Sequence, residues 1–257
     1  MIRLVHLLRR RPELSLVEFQ ARWRDDHGPL VAAHQTRLGI ARHIQTHRLD
    51  DPFNQRIAAT RDEIELAYDG VAETWWPSEE AMVAAMLTAA GQAAGMTLLT
   101  NESEFIDLPN SPLWLAHDYP QYSNSSEPVV ARTVSGIVKL HFPIRHRSDM
   151  TIEAAQRYWL TTHGPLGRSF APMLGLLSYQ QVHRFATPIE ARLREERGTM
   201  VEPYMGHAEM WIDRLFTRAG AEIDEARRLA IEDERRFIDF SRSALWAGKE
   251  HVLVDRW

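Results

Sequence analysis

The chain has no cysteine among its 257 residues. That excludes disulfides, thiolate metal sites and a cysteine nucleophile, and it suits a reducing, cytoplasmic setting. No run approaches the roughly 18 apolar residues of a membrane span, and the apolar start, residues 1–8, is too short and too interrupted for a signal peptide. No membrane partner is therefore expected. The net charge is −5, the isoelectric point is near 6.2, and neither half gathers a basic stripe, so nucleic acid is not an expected partner. The sequence has no G-x-G-x-x-G, no G-x-x-x-x-G-K-[ST] and no G-x-S-x-G, which removes support for nucleotide, phosphate or serine-hydrolase chemistry.

What is present is a duplication. His27-Gly28-Pro29-Leu30 returns as His163-Gly164-Pro165-Leu166, each time with a Trp four residues upstream, Trp23 and Trp159. Sliding one half over the other in that register aligns residues 1–49 with 137–185 without a gap, and the identities include Leu4, Arg9, Arg11, Gln20, Gly39, Gln45 and His47. The same offset lays Tyr68–Trp75 on Tyr204–Trp211, so the repeat is a domain. With 44% hydrophobic residues each half can bury its own core.

Within each half the apolar residues change period. Ile2, Leu4 and Leu8 alternate as in a half-buried strand, and so do Val138, Leu140, Phe142 and Ile144; His6 interrupts the first of these faces. Ser15 and Glu18 have capping-box spacing, and Leu16, Phe19, Trp23 and His27 then mark one helix face. Gly28 and Pro29 are expected to stop that helix, placing His27 in its last turn. A second strand puts His43, Gln45 and His47 on one face, matched by Tyr179, Gln181 and His183. A charged loop of about 20 residues is expected next. It leads to a third strand near 67–76 or 203–212, a helix over 79–92 or 221–236, and a last strand. Each half thus reads β-α-β-β-α-β, with domains at 1–121 and 134–257 and a Pro- and Ser-containing linker at 122–133.

A β-α-β-β-α-β unit is a ferredoxin-like half, and two of them make an α+β barrel. The H-G-P-L after a Trp-bearing helix, the Tyr-x-Gly-x-Ala-Glu-x-Trp strand and the Phe-Ile-Asp segments at 105–107 and 237–239 resemble the EthD family of the dimeric α+β barrel superfamily. The fold implied is α+β: two ferredoxin-like repeats forming an intrachain dimeric α+β barrel by tandem duplication. The superfamily includes cofactor-free monooxygenases, cyclases, dehydratases, decarboxylases and haem proteins, so the resemblance implies a small-molecule pocket more than one reaction.

An imidazole exchanges protons near neutral pH, which makes His27 and His163 the leading catalytic candidates, with Tyr179 and His183 as partners. A structural histidine bonded to loop carbonyls is the competing reading. His43, Gln45, His47, His141, Gln181, His207 and Glu209 are candidate substrate-binding groups. Glu209 and Glu73 are as readily structural if paired to Arg. Trp23 and Trp159 are foremost core residues, although indole walls also suit a flat aromatic ligand. No metal site is expected at His43 and His47, because i, i+4 histidines converge on a metal on a helix and not on a strand.

The reading is a cofactor-independent lyase of decarboxylase, dehydratase or cyclase type acting on a bulky aromatic or phenolic molecule, with no cofactor expected. A cofactor-free or haem-dependent monooxygenase and a non-catalytic binding protein are the alternatives. The denser titratable groups of the C-terminal half favour that half as the active one, and a homodimer of the two-domain chain is left open.

Overall fold

The eight strands read from alternation close on themselves. The computed structural model describes residues 1–216 and 218–256. In chain order the strands are β1 (Ile2–Leu8), β2 (Arg42–Arg48), β3 (Gly70–Trp76), β4 (Leu113–Ser123), β5 (Ile137–Ile144), β6 (Leu176–Arg184), β7 (Gly206–Asp213) and β8 (Trp246–Asp255). They form one antiparallel barrel in the order β1-β3-β2-β8-β5-β7-β6-β4. The two halves exchange their last strands to close it. Leu113–Ala116 of β4 pair with β1 of the same half, and Ala116–Ser123 continue onto β6 of the other. In the same way β8 pairs with β5 through Trp246–Gly248 and with β2 through Gly248–Asp255. A barrel closed in this way leaves no free sheet edge.

Strand alternation divides the side chains between two layers. Val5, Leu7, Trp114, Val182 and Trp246 pack inside the barrel, where Tyr68 and Tyr204, equivalent under the repeat, meet with hydroxyls 3.2 Å apart. Leu4 and His6 face outward, toward the helices. The outer layer holds α1 (Leu16–Ala21), α2 (Gly28–His34), α3 (Pro52–Ala58), α4 (Glu79–Leu87) and α5 (Ala89–Glu102) in the first half. In the second it holds α6 (Ile152–Tyr158), α7 (Gly164–Leu174), α8 (Pro188–Glu196) and α9 (Ala221–Glu234). No single helix is long and apolar enough to cross a membrane among the described residues.

The structure differs from the sequence expectations at four places. H-G-P-L does not stop the helix: Arg22–His27 and Trp159–His163 widen into π turns, and α2 and α7 follow directly. Pro29 has no N–H, and its ring would collide with the carbonyl four residues back in a regular α-helix. The widened turn, in which Gly28 N–H reaches Trp23 O, removes that conflict and lets Pro29 start the next segment. The charged loops contain α3 and α8, because Asp51 and Thr187 cap helices that open with Pro52 and Pro188. The expected helix over 79–92 is two helices meeting at 92°, broken where Thr88 leaves helical geometry and caps α5. Finally, β4 runs to Ser123, into the expected linker.

The predicted helix stripe is observed, with Phe19, Trp23 and His27 all buried. Ser15 and Glu18 form the capping box. Trp23 sits over Gly70, where a Cβ would lie 2.3 Å from the indole. Trp159 packs the same way on Gly206. Removing an indole so enclosed costs about 3–5 kcal/mol.

Candidate active site

The π turn presents His27 to the sheet, and two side chains fix the geometry. Gln45 Nε2 donates to Trp23 O at 2.8 Å, tying the widened turn to β2. His27 Nδ1 pairs with Asn101 Oδ1 at 2.8 Å, at the end of α5. An amide oxygen accepts, so Nδ1 carries the proton and Nε2 is the nitrogen with the lone pair.

His27 lines a cavity of about 520 Å³ between the outer face of β1, β2 and β3 and the helices α2, α4 and α5. His6 and His43 line it as well. His43 Nδ1 is bonded to Thr74 Oγ1 at 2.7 Å. The Nε2 atoms of His6 and His43 are buried without a protein partner. Burial pushes both imidazoles down to about 3; Arg197 and His27 reinforce this at His6, and His27 does so at His43. Both are therefore neutral at physiological pH.

The walls are apolar, with Leu4, Val31, Ile40, Trp76, Met82 and Leu99 among them. One wall comes from the other half: α8 contributes Leu193 and Glu196, followed by Arg197. Arg197 bonds Glu102 at 2.9 Å with both side chains nearly buried. Burial alone would raise the Glu102 carboxyl, but Arg197, with His6 and His27 beside it, holds it below the usual range.

The equivalent volume in the C-terminal half is occupied by side chains. Phe142 stands at the position of His6, Tyr179 at that of His43 and Met210 at that of Thr74, within one packed cluster with Trp159 and Phe237. The Tyr179 ring lies against Gly167, where the first half has Val31. Burial pushes its hydroxyl up to about 12. His163 Nδ1 is bonded to Asp233 at 2.8 Å. The cavity thus lies in the half opposite to the one that the density of titratable groups favours.

The remaining sequence candidates fall into two groups. His47 and His183 lie under the helices, stacked on Trp23 and Trp159 at 4.5 and 4.4 Å, and donate from Nε2 to the side-chain oxygens of Gln45 and Gln181. Burial holds them down, to about 2 and about 4. These four residues and the two indoles support the π turns and do not line the cavity. His141, His207 and Glu209 lie on the opposite, inner face of the barrel. There Glu209 pairs with Arg3 and Lys139, as Glu73 does.

Sequence reasoning missed Asn101, Thr74, Glu102 and Arg197 and did not place His6 in the site. Signals existed for three of these. Asn101 and Glu102 align with Asp233 and Glu234 in the register of the Phe-Ile-Asp segments, and Arg197 repeats Arg61 in the register of H-G-P-L.

A closed barrel of two exchanged ferredoxin-like halves, with an imidazole-lined cavity outside the sheet, defines an intrachain dimeric α+β barrel. The family model of the EthD domain matches residues 11–109 and again residues 147–241, and the chain belongs to that family. Among solved structures it is similar to an anthrone oxidase-like protein, at 12% identity and a TM-score of 0.59 over 100% of this chain and 94% of that one. A protein named as a monooxygenase, from Fusobacterium nucleatum subsp. nucleatum, superposes at 7% identity and a TM-score of 0.53 over 98% of this chain and 93% of that one. At such identities the likeness is one of fold. No protein of curated function matches the sequence.

Proposed function

We propose that the N-terminal cavity is the active site of a cofactor-independent enzyme that moves a proton on a bulky hydroxylated aromatic molecule, in a reaction of lyase type. The observation that carries this reading is His27, held through Nδ1 by Asn101 with its other nitrogen available to an apolar cavity that two neutral imidazoles also line. The cavity is large enough for a small polycyclic phenol and offers few polar groups, as ligand sites do.

In this reading His27 Nε2 takes the phenolic proton and the electron pair moves into the ring. A leaving group conjugated with it, hydroxide in a dehydration, departs with the proton that His27 returns, giving water and a quinone-methide product. Neutral His6 and His43 hold the substrate's oxygen atoms by hydrogen bonds while charge develops. The names of the structural neighbours, oxidase-like and monooxygenase, support a second reading that shares the first step. The deprotonated hydroxyaromatic would then react with dioxygen instead of expelling a group. Labelled dioxygen separates the two: oxygen incorporated into product favours oxidation, and turnover under nitrogen favours the lyase.

The primary test is His27→Ala, assayed against hydroxylated polycyclic aromatics. Loss of turnover by about a hundredfold or more in a folded protein supports the proposal. Undiminished turnover overturns it, and saturable binding without product in the parent protein would make the chain a carrier.

A further inference from the structure

We infer that the barrel interior holds a second site, separate from the outer cavity, that binds one first-row divalent transition-metal ion through His141, His207 and Glu209. His141 stands directly across the β5–β7 ladder from Glu209, and His207 lies two residues along β7 on the same face. One ligand atom from each falls within 4.8 Å of the other two, and all three residues are buried. His207 Nε2 and Glu209 Oε1 are 3.0 Å apart, the edge length of a shared coordination sphere with bonds near 2 Å.

The polar bookkeeping of this interior does not close with protein atoms alone. Both ring nitrogens of His141 and Nδ1 of His207 are buried with no hydrogen-bond partner. Leaving such groups unmade costs about 1–3 kcal/mol each. The indole N–H groups of Trp114 and Trp246, whose rings lie 5.9 Å from His207 and His141, also lack acceptors. A metal-bound water or hydroxide would serve as one.

Charge points the same way. Arg3 and Lys139 face four carboxylates, Glu73, Glu209, Glu250 and Asp118, so this layer carries two more negative than positive charges. A divalent ion neutralises that excess. Lys139 shares Glu209 but also reaches Glu73 at 2.6 Å and Glu250 at 3.4 Å, so it keeps partners when a metal takes the Glu209 oxygen. Two imidazoles and a carboxylate suit zinc, cobalt or iron(II) rather than calcium or magnesium.

Because the site is enclosed, the ion enters as the chain folds. The test is to refold the whole chain from denaturant with excess Co²⁺ or Zn²⁺, desalt it into chelator, and measure retained metal and the visible Co²⁺ spectrum. The expected result is about one ion per chain, lost slowly to chelator, with Co²⁺ bands of a nitrogen–oxygen site. His141→Ala and His207→Ala should each lower retention at least about tenfold. Retention equal in the His141→Leu/His207→Leu double variant would be surface metal and would overturn the site. So would a refolded parent chain without cobalt bands, which decides the matter even if the variants do not fold; water alone would then satisfy the interior nitrogens.

Discussion

Arg197 of the C-terminal half bonds Glu102 of the N-terminal half at 2.9 Å, and Arg61 of the N-terminal half bonds Glu234 of the C-terminal half at 2.7 Å. The two pairs are the same contact repeated about the pseudo-dyad, and each crosses between halves. The helix before each arginine covers the other half's outer face, so the candidate active site belongs to the whole chain rather than to either EthD repeat.

Arg197→Ala leaves Glu102 buried beside His6 and His27 without its principal counter-charge. Removing one partner of a buried pair costs about 3–5 kcal/mol, and the expected loss in urea unfolding is about 3 kcal/mol. Arg197→Met combined with Glu102→Leu removes both charges and should recover most of it. If the single and double variants are equally unstable, the ion pair is not what holds α8 on the cavity.

The two histidines of the H-G-P-L motifs should behave differently although each follows a Trp by four residues and precedes Gly-Pro-Leu. His27→Ala removes the proposed base and is expected to lower kcat/KM at least about a hundredfold, and with its bond to Asn101 lost it also costs about 1–3 kcal/mol of stability. His163→Ala breaks the bond to Asp233, whose carboxyl that bond holds below its usual range, and is expected to cost about 1–3 kcal/mol while leaving turnover near the parent value. Steady-state kinetics and thermal melts on the same samples check both. An inactive but stable His163→Ala protein would place the chemistry in the wrong half here.

The repeat register and the helix stripe ending at His27 were legible because they are local or periodic. The strand exchange was not, since nothing near Leu113 or Trp246 says that the second part of β4 or β8 pairs with the other half. Weighing titratable groups by sequence position pointed to the C-terminal half because parity was not applied to them. His141 and His207 share the inner parity with Glu209, whereas His6 shares the outer parity with Leu4 and therefore faces the helices. Cavity filling by Phe142 and Tyr179 against His6 and His43 is a difference between aligned positions, readable once the strand faces are known.

Stability should fall as the pH drops below about 6.5, the ordinary imidazole range. Burial lowers His6 and His43 to about 3, His47 to about 2 and His183 to about 4, and it lowers His141 as well. Between those values and 6.5 the unfolded chain binds protons that the folded chain refuses. Each group then weakens the fold by up to about 1.4 kcal/mol per pH unit. The lowered carboxyls Glu102, Glu209 and Asp233 act in the same direction at lower pH, as their unfolded forms protonate first. Urea melts between pH 8 and pH 4.5 should show a flat region above 7 and a steep decline below 6, with proton uptake on unfolding near pH 5. A midpoint independent of pH over that span would mean that these imidazoles are solvated.

Gly95 lines the cavity on α5, and a Cβ built there meets nothing within 4 Å. Glycine inside a helix costs about 0.5–1 kcal/mol relative to alanine, so Gly95→Ala should stabilise the protein by about that much and leave ligand affinity nearly unchanged. A phenylalanine at this lining position would compete for the space open to an aromatic ring. Gly95→Phe is therefore expected to weaken binding of a polycyclic phenol at least about tenfold while a single-ring phenol is affected less, with no loss of thermal stability. Isothermal titration with both ligands reads the difference. Equal affinities for the polycyclic ligand in the parent and in Gly95→Phe would show that the ligand does not lie against α5, and the substrate would then have to be sought elsewhere on the chain.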